Sequence, residues 1–176
     1  MISILSRHKL ILGFAGLISA LALAAAFGSE IFLGLEPCIL CVYQRYPFAI
    51  VMFVSFVILA VFRKSDKVIR IGLVLCAIVM LVNSGIASYH TGIEQHWWEM
   101  TESCDFNISK DENETWLENI MSRPMGRCDE IPWQDPFIGL SMANYNIGFC
   151  FGLFLLCLIS AALKPRPQSE TKQTSE

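Results

Sequence analysis

A chain of 176 residues that is 54% hydrophobic and only 16% charged, with a mean hydropathy of +0.50, is too apolar for an ordinary water-soluble domain. The net charge of −3 decides little, because it averages over the whole chain, but no nucleic-acid-binding patch, Gly-rich phosphate loop or metal motif is present. The apolar residues come in long uncharged blocks, which is the pattern of membrane spans.

The first block, Leu10–Phe27, follows Arg7, His8 and Lys9. It outruns the roughly 7–15 residues of a signal-peptide core, so a retained span over 10–27 is expected despite the small residues Ala24-Ala25-Ala26. A polar connection over 28–42 leads to the second span, 43–62. From Pro47 alone this span is short, so its helix is expected to start before Pro47 and to carry the proline inside it. The third span, 71–89, has Asn83 and a few serines as its polar residues. A long polar stretch over 90–142 precedes the fourth span, 143–163, and a polar tail over 164–176 closes the chain. Within the long stretch, Thr115–Arg123 places Trp116, Leu117, Ile120 and Met121 on one helical face before Pro124. Such a short amphipathic helix suits a membrane surface or a surface of the protein itself. Trp97, Trp98 and Trp133 read as interfacial anchors. The sequons at Asn107 and Asn113 are patterns that recur by chance. Four spans of about 17–25 residues leave no room for a separate soluble domain. The fold class is therefore an all-α membrane protein, one four-helix domain over 1–163.

Charge sets the orientation. Arg7 and Lys9 precede the first span, Arg63, Lys64, Lys67 and Arg70 fill the second connection, and Lys164, Arg166 and Lys172 follow the last span. In the 90–142 stretch Lys110, Arg123 and Arg127 are outnumbered by acids. Lys and Arg mark the cytoplasmic side, so both termini are expected inside and the loops 28–42 and 90–142 outside.

The seven cysteines then divide by side. Cys76, Cys150 and Cys157 lie within spans and read as small apolar residues. Cys38, Cys41, Cys104 and Cys128 fall in the outer loops, where disulfides persist. The short Cys38-Ile-Leu-Cys41 loop favours Cys38–Cys41 with Cys104–Cys128, and a second arrangement joins the two loops if they approach. Haem attachment needs His after the second cysteine, and position 42 is Val. Zinc held by the CxxC with Cys104 and Cys128 has suitable ligand types but unsuitable spacing, so no metal is expected. Two purely structural disulfides are the competing account.

Pro37 suits a first helical position. From there Cys38, Cys41 and Arg45 lie along one face, where the helix N-terminus and a cation favour thiolate. Arg45 alone reads equally well as an arginine snorkelling to head groups. His90 ends the third span and reads more readily as a boundary residue than as a ligand.

The run Glu36-Pro-Cys-Ile-Leu-Cys-Val-Tyr-Gln-Arg45 closely resembles the first-loop signature of the DsbB disulfide-bond-forming membrane proteins. Ser103-Cys-Asp-Phe106 resembles the start of that family's second redox pair. Cys128, Trp133 and Phe137-Ile-Gly-Leu-Ser-Met142 resemble the stretch leading into its fourth helix. The resemblance runs in order from the first span to the last. It implies a protein-disulfide oxidoreductase of the bacterial inner membrane that reoxidises a periplasmic thioredoxin-fold thiol oxidase of the DsbA type. Electrons would pass to a membrane quinone, ubiquinone or menaquinone, and so to the respiratory chain. The partners it implies are that oxidase and membrane lipid, with no nucleic acid. By motif, Cys104 takes the partner's attack with Cys128 as its loop-mate, and Cys38–Cys41 receives the electrons. Cys41 faces the quinone with Arg45 as its electrostatic partner, and His90 stands near the quinone. Gln44 stands where some members have an acid, and Ala143 and Tyr145 replace residues that are often Pro and Trp.

Energetics favour a quinone behind the cysteines. A DsbA-type partner lies near about −120 mV, whereas ordinary structural disulfides lie below about −300 mV, an uphill transfer of about 8 kcal/mol for two electrons. Two rivals fit less well. A tetraspanin-like scaffold lacks its Cys-Cys-Gly motif here, and an enzyme of the vitamin K epoxide reductase type carries its CxxC near the last span, not before the second.

Overall fold

A computed structural model describes residues 3–99 and 126–163. Cys104, the 115–123 amphipathic segment, both sequons and the 164–176 tail lie outside the described residues. Four helices carry the fold: α1 Ser3–Leu33, α2 Ile39–Val61, α3 Asp66–Glu94 and α4 Met142–Ala162. Each is long and apolar enough to cross a membrane. Even α4, with 21 residues, reaches about 32 Å at 1.5 Å per residue, the thickness of a hydrocarbon core.

The helices overrun the apolar blocks. In α1 the polar residues Ser29 and Glu30 continue the helix, each with a partner: Ser29 Oγ donates to the Ala26 carbonyl at 2.8 Å, and Glu30 pairs with Arg45. The chain breaks only at Gly34, whose φ of +64° suits glycine, and the expected 28–42 connection shrinks to residues 34–38. Pro37 does not open α2. Cys38 is the N-cap, with extended backbone and a sulfur that accepts from the Cys41 N–H at 3.3 Å, so the proline stands one residue outside. Pro47 lies inside α2, as its short span requires.

The most extensive packing is between α3 and α4, followed by α1 with α2 and α2 with α3. Leu12, Val51, Leu73, Met80, Cys150 and Cys157 form the buried centre. Two glycines set close approaches: a Cβ on Gly16 would lie 2.7 Å from Ser55 Cβ, and one on Gly72 would lie 2.3 Å from an Ile58 methyl group. Phe14, Phe53, Phe56, Ile78 and Ile159 point outward, as lipid-facing positions do.

Each end of the bundle is tied differently. At the end carrying the 62–65 turn, His8 Nδ1 lies 2.9 Å from Asp66 Oδ1, and Arg70 donates twice to the Ala161 carbonyl, at 3.1 and 2.9 Å. At the opposite end, Ser141 caps α4 by accepting from the Asn144 N–H at 3.2 Å and donates to Glu94 of α3 at 2.5 Å. Just before it, Asp135 accepts from the Phe137 and Ile138 amides and from the Tyr145 hydroxyl at 2.7 Å. The segment 126–141 is thereby folded back over the start of α2.

Candidate redox site

The N-terminus of α2 places Cys38 and Cys41 one turn apart, with their sulfurs separated by 3.2 Å. Cys38 is buried and Cys41 half-buried. The 126–141 segment brings in a third sulfur. Gly126 N–H donates to the Pro37 carbonyl at 3.3 Å, and a Cβ at position 126 would lie 2.6 Å from the Glu36 carbonyl oxygen. Only glycine permits that approach, and it delivers Cys128, fully buried, to a hydrogen bond with Cys38. Cys38, Cys128, Leu40 and Ile93 form one small apolar cluster. Cys38 therefore has the sulfurs of both Cys41 and Cys128 as neighbours. The Cys38 thiol is lowered by the Cys128 hydrogen bond, but the hydrogen bond with Cys41 and burial outweigh this and push it up to about 12.

His90 is not a boundary residue. It is 3% exposed, with Nε2 at 3.4 Å from Cys38 Sγ and Nδ1 at 3.0 Å from Gln44 Nε2. Glu94, one turn further along α3, lies 3.7 Å from His90 Nε2. The donor atoms of Cys38, Cys41 and His90 all fall within 4.8 Å of one another, and two thiols with an imidazole are the ligand types of a soft cation.

Arg45 lies on the same wall as Cys41, but its charge is directed at Glu30 of α1, and its guanidinium stands 5.1 Å from the centre of the Phe27 ring. Glu30, Glu94 and Asn146 line the cavity and were passed over in the sequence. Ionisable or amide side chains inside or at the ends of apolar spans were the signal that could have found them.

A cavity of about 820 Å³ opens beside the sulfurs, with Cys41, Arg45, His90, Phe48, Phe149 and Trp133 on its walls. Its size and its mainly apolar lining with a few converging polar groups suit a ring-sized organic ligand. Trp133, expected as an anchor, belongs to this wall, its ring 6.5 Å from that of Tyr145. Ala143 and Tyr145 also line the cavity, so their substitutions fall on its surface. Trp98 packs on Tyr89 at 5.9 Å and donates to that residue's carbonyl at 3.1 Å, while Trp97 is exposed. Cys76, Cys150 and Cys157 are buried among the helices, as their apolar neighbours predict.

Four membrane-length helices with clustered thiols at one end define a multi-pass membrane protein with redox chemistry within reach. Comparison with known proteins names the family. The family described as "Disulfide bond formation protein DsbB" matches residues 8–160. Disulfide bond formation protein B of Xanthomonas oryzae pv. oryzae (strain MAFF 311018) is 34% identical over 168 residues, 93% of this chain and 94% of that protein. The protein of the same name from Acinetobacter baumannii is 26% identical over 155 residues, covering 86% and 89%, and that of Xylella fastidiosa is 29% identical over 152 residues, covering 78% and 80%. No solved structure matches significantly. The chain belongs to the DsbB family and is a disulfide-forming oxidoreductase of the membrane.

Proposed function

We propose that this chain reoxidises a periplasmic dithiol oxidase of the DsbA type and passes the electrons to a membrane quinone. The observation that carries the reading is the CxxC pair at the α2 N-terminus, with Cys128 beside Cys38 and the cavity beside Cys41.

A thiolate of the partner attacks Cys104 of a Cys104–Cys128 disulfide; the mixed disulfide forms and Cys128 leaves with the electron pair. Cys128 then attacks Cys38 of the Cys38–Cys41 disulfide, and Cys41 leaves as thiolate. The partner's second thiolate resolves the mixed disulfide, freeing Cys104. Cys104 recloses on Cys128 and expels Cys38. The net result is one oxidised partner and one reduced Cys38/Cys41 pair.

The cavity residues would suit a quinone: Phe48, Phe149 and Trp133 would flank a ring, Arg45 would meet an oxygen, and His90 would line the wall with its ring nitrogens turned to Cys38 and Gln44. When bound, a quinone would supply a two-electron acceptor for the reduced Cys38/Cys41 pair. The chain's own contribution is to keep Cys41 on the cavity wall and to hold Arg45 there through Glu30. The charge pattern supports a bacterial inner-membrane topology with both termini and the 164–176 tail cytoplasmic and the four redox cysteines periplasmic.

The test is anaerobic reoxidation of a reduced DsbA-type protein by the purified chain, with and without ubiquinone or menaquinone. Turnover that depends on quinone and vanishes in Cys41→Ser supports the reading. A wild type whose cysteines stay oxidised and inert to the partner overturns it in favour of structural disulfides.

A further inference from the structure

The side-chain amides near His90 form a chain of hydrogen bonds whose direction is set by one backbone group. The Gln44 main-chain carbonyl can only accept, and it lies 3.2 Å from Asn83 Nδ2, so Asn83 presents its NH₂ there. The same nitrogen is 3.2 Å from Cys150 Sγ, which makes that sulfur an acceptor. The Cys150 S–H is then directed to Asn146 Oδ1, also at 3.2 Å. Asn146 must offer its own NH₂ to Gln44 Oε1 at 2.5 Å, and Gln44 must offer its NH₂ to His90 Nδ1 at 3.0 Å. Running the last links backwards would aim two donors at a weak sulfur acceptor and leave the Cys150 S–H without a partner in a buried site.

We propose that Gln44 is a positioning residue: through this chain it fixes His90 as the neutral tautomer with its proton on Nε2, facing Cys38 as a donor. An imidazolium would set N–H against N–H at Gln44, and the other neutral tautomer would do the same. His90 Nε2 therefore cannot take the Cys38 proton, nor can it ligate a cation beside Cys38 and Cys41 until the chain reverses. Cys38 keeps its proton in the reduced pair, in line with its raised thiol, and the cavity-facing Cys41 is left to act as the nucleophile. A carboxylate at position 44 would only accept, drawing the ring proton to Nδ1 and turning Nε2 into a base for Cys38. The inference concerns the tautomer; its consequence for catalysis rests on the redox reading above.

The experiment is nitrogen NMR of the full-length, reduced chain labelled with ¹⁵N-histidine, in lipid nanodiscs, with the His90 signals identified by their loss in His90→Asn. The expected wild-type pattern is a neutral ring protonated at Nε2. In Gln44→Glu the pattern inverts to Nδ1, and alkylation of Cys38 at neutral pH rises about tenfold or more as a base becomes available. A wild-type ring protonated at Nδ1, or a folded Gln44→Glu protein with an unchanged tautomer, overturns the proposal. Should Gln44→Glu not fold, Asn146→Leu takes its place: it frees Gln44 to turn, and the expected result is a mixture of tautomers, while a pure Nε2 form overturns the role of the chain. Loss of quinone-linked turnover in a wild type that shows the expected tautomer would count against the redox reading and leave this one standing.

Discussion

The two ends of the bundle contain similar residues and use them in different ways. At the 62–65 end, a histidine meets an aspartate and an arginine meets a carbonyl. Each contact ties one helix to another: α1 to α3 and α3 to α4. At the other end, a histidine, a glutamate and an amide meet around Cys38, and an arginine lies on the wall of an 820 Å³ cavity. Polar residues at a membrane boundary are therefore no sign of chemistry by themselves. What separates the ends is convergence: at the second, side chains from all four helices and from the 126–141 segment surround one space.

The sharpest way to break this comparison is to remove one group at each end. Under the proposed function, Cys41→Ser abolishes quinone-linked reoxidation of the partner, a loss of about a thousandfold or more, as removal of a nucleophile does. Asp66→Asn, which weakens the His8 contact, leaves turnover within about twofold and lowers thermal stability by about 1 kcal/mol. Equal losses in the two variants would remove the distinction between the ends.

A smaller effect tests how the two loops come together. In Gly126→Val the added side chain meets the Glu36 carbonyl, so the 126–141 segment must lift from residues 36–38 at a cost of about 1–3 kcal/mol. Oxidant-induced crosslinking of Cys38 to Cys128, read on gels after proteolysis, is expected to slow by about tenfold or more. Crosslinking at the wild-type rate would show that the approach at position 126 does not govern the contact.

The pH dependence of the reduced protein carries a definite sign. The Cys38 thiol is raised from 9.0 to about 12 in the folded state. Its contribution to stability is thus complete below about pH 9, the unfolded value, and is lost as the pH climbs through that window towards 12. Thermal unfolding of the reduced wild type is expected to fall across this range more steeply than that of reduced Cys38→Ala. Parallel curves would remove Cys38 as the source.

Much of this was legible in the chain. Four uncharged blocks marked the four helices, and the CxxC with Arg45 pointed to the candidate site, because span length and cysteine spacing are local properties. The rest depended on contacts across the bundle. Residues 28–30 ended the apolar block, yet Glu30 continues α1 by reaching Arg45 on α2, a pairing no local pattern announces. His90 sat at the edge of its apolar block because the block ended at Tyr89, while the helix runs on to Glu94 and buries the imidazole. Pro37 suited a helix start, but the Cys38 sulfur took the capping role. The amides Gln44, Asn83 and Asn146 were visible as polar interruptions; their joint direction needs the backbone carbonyl that orders them.

The smallest expected effect lies in the segment that covers the site. The Asp135 carboxylate is held below the usual carboxylate range by the Tyr145 hydroxyl first, then by the Phe137 and Ile138 amides. A lowered carboxylate stabilises the fold above its unfolded value, and that contribution is lost as the pH falls through the lowered one. Because Asp135 is only half-buried and bonds within its own segment and to the start of α4, its loss should loosen 134–141 without unfolding the helices. Hydrogen exchange at the Phe137 and Ile138 amides is expected to speed up in Asp135→Asn at neutral pH, whereas amides in the middle of α3 stay protected. Were the α3 amides to exchange faster as well, the covering segment would be coupled to the whole bundle, and the site's roof could not be treated as a separate layer laid over a rigid frame.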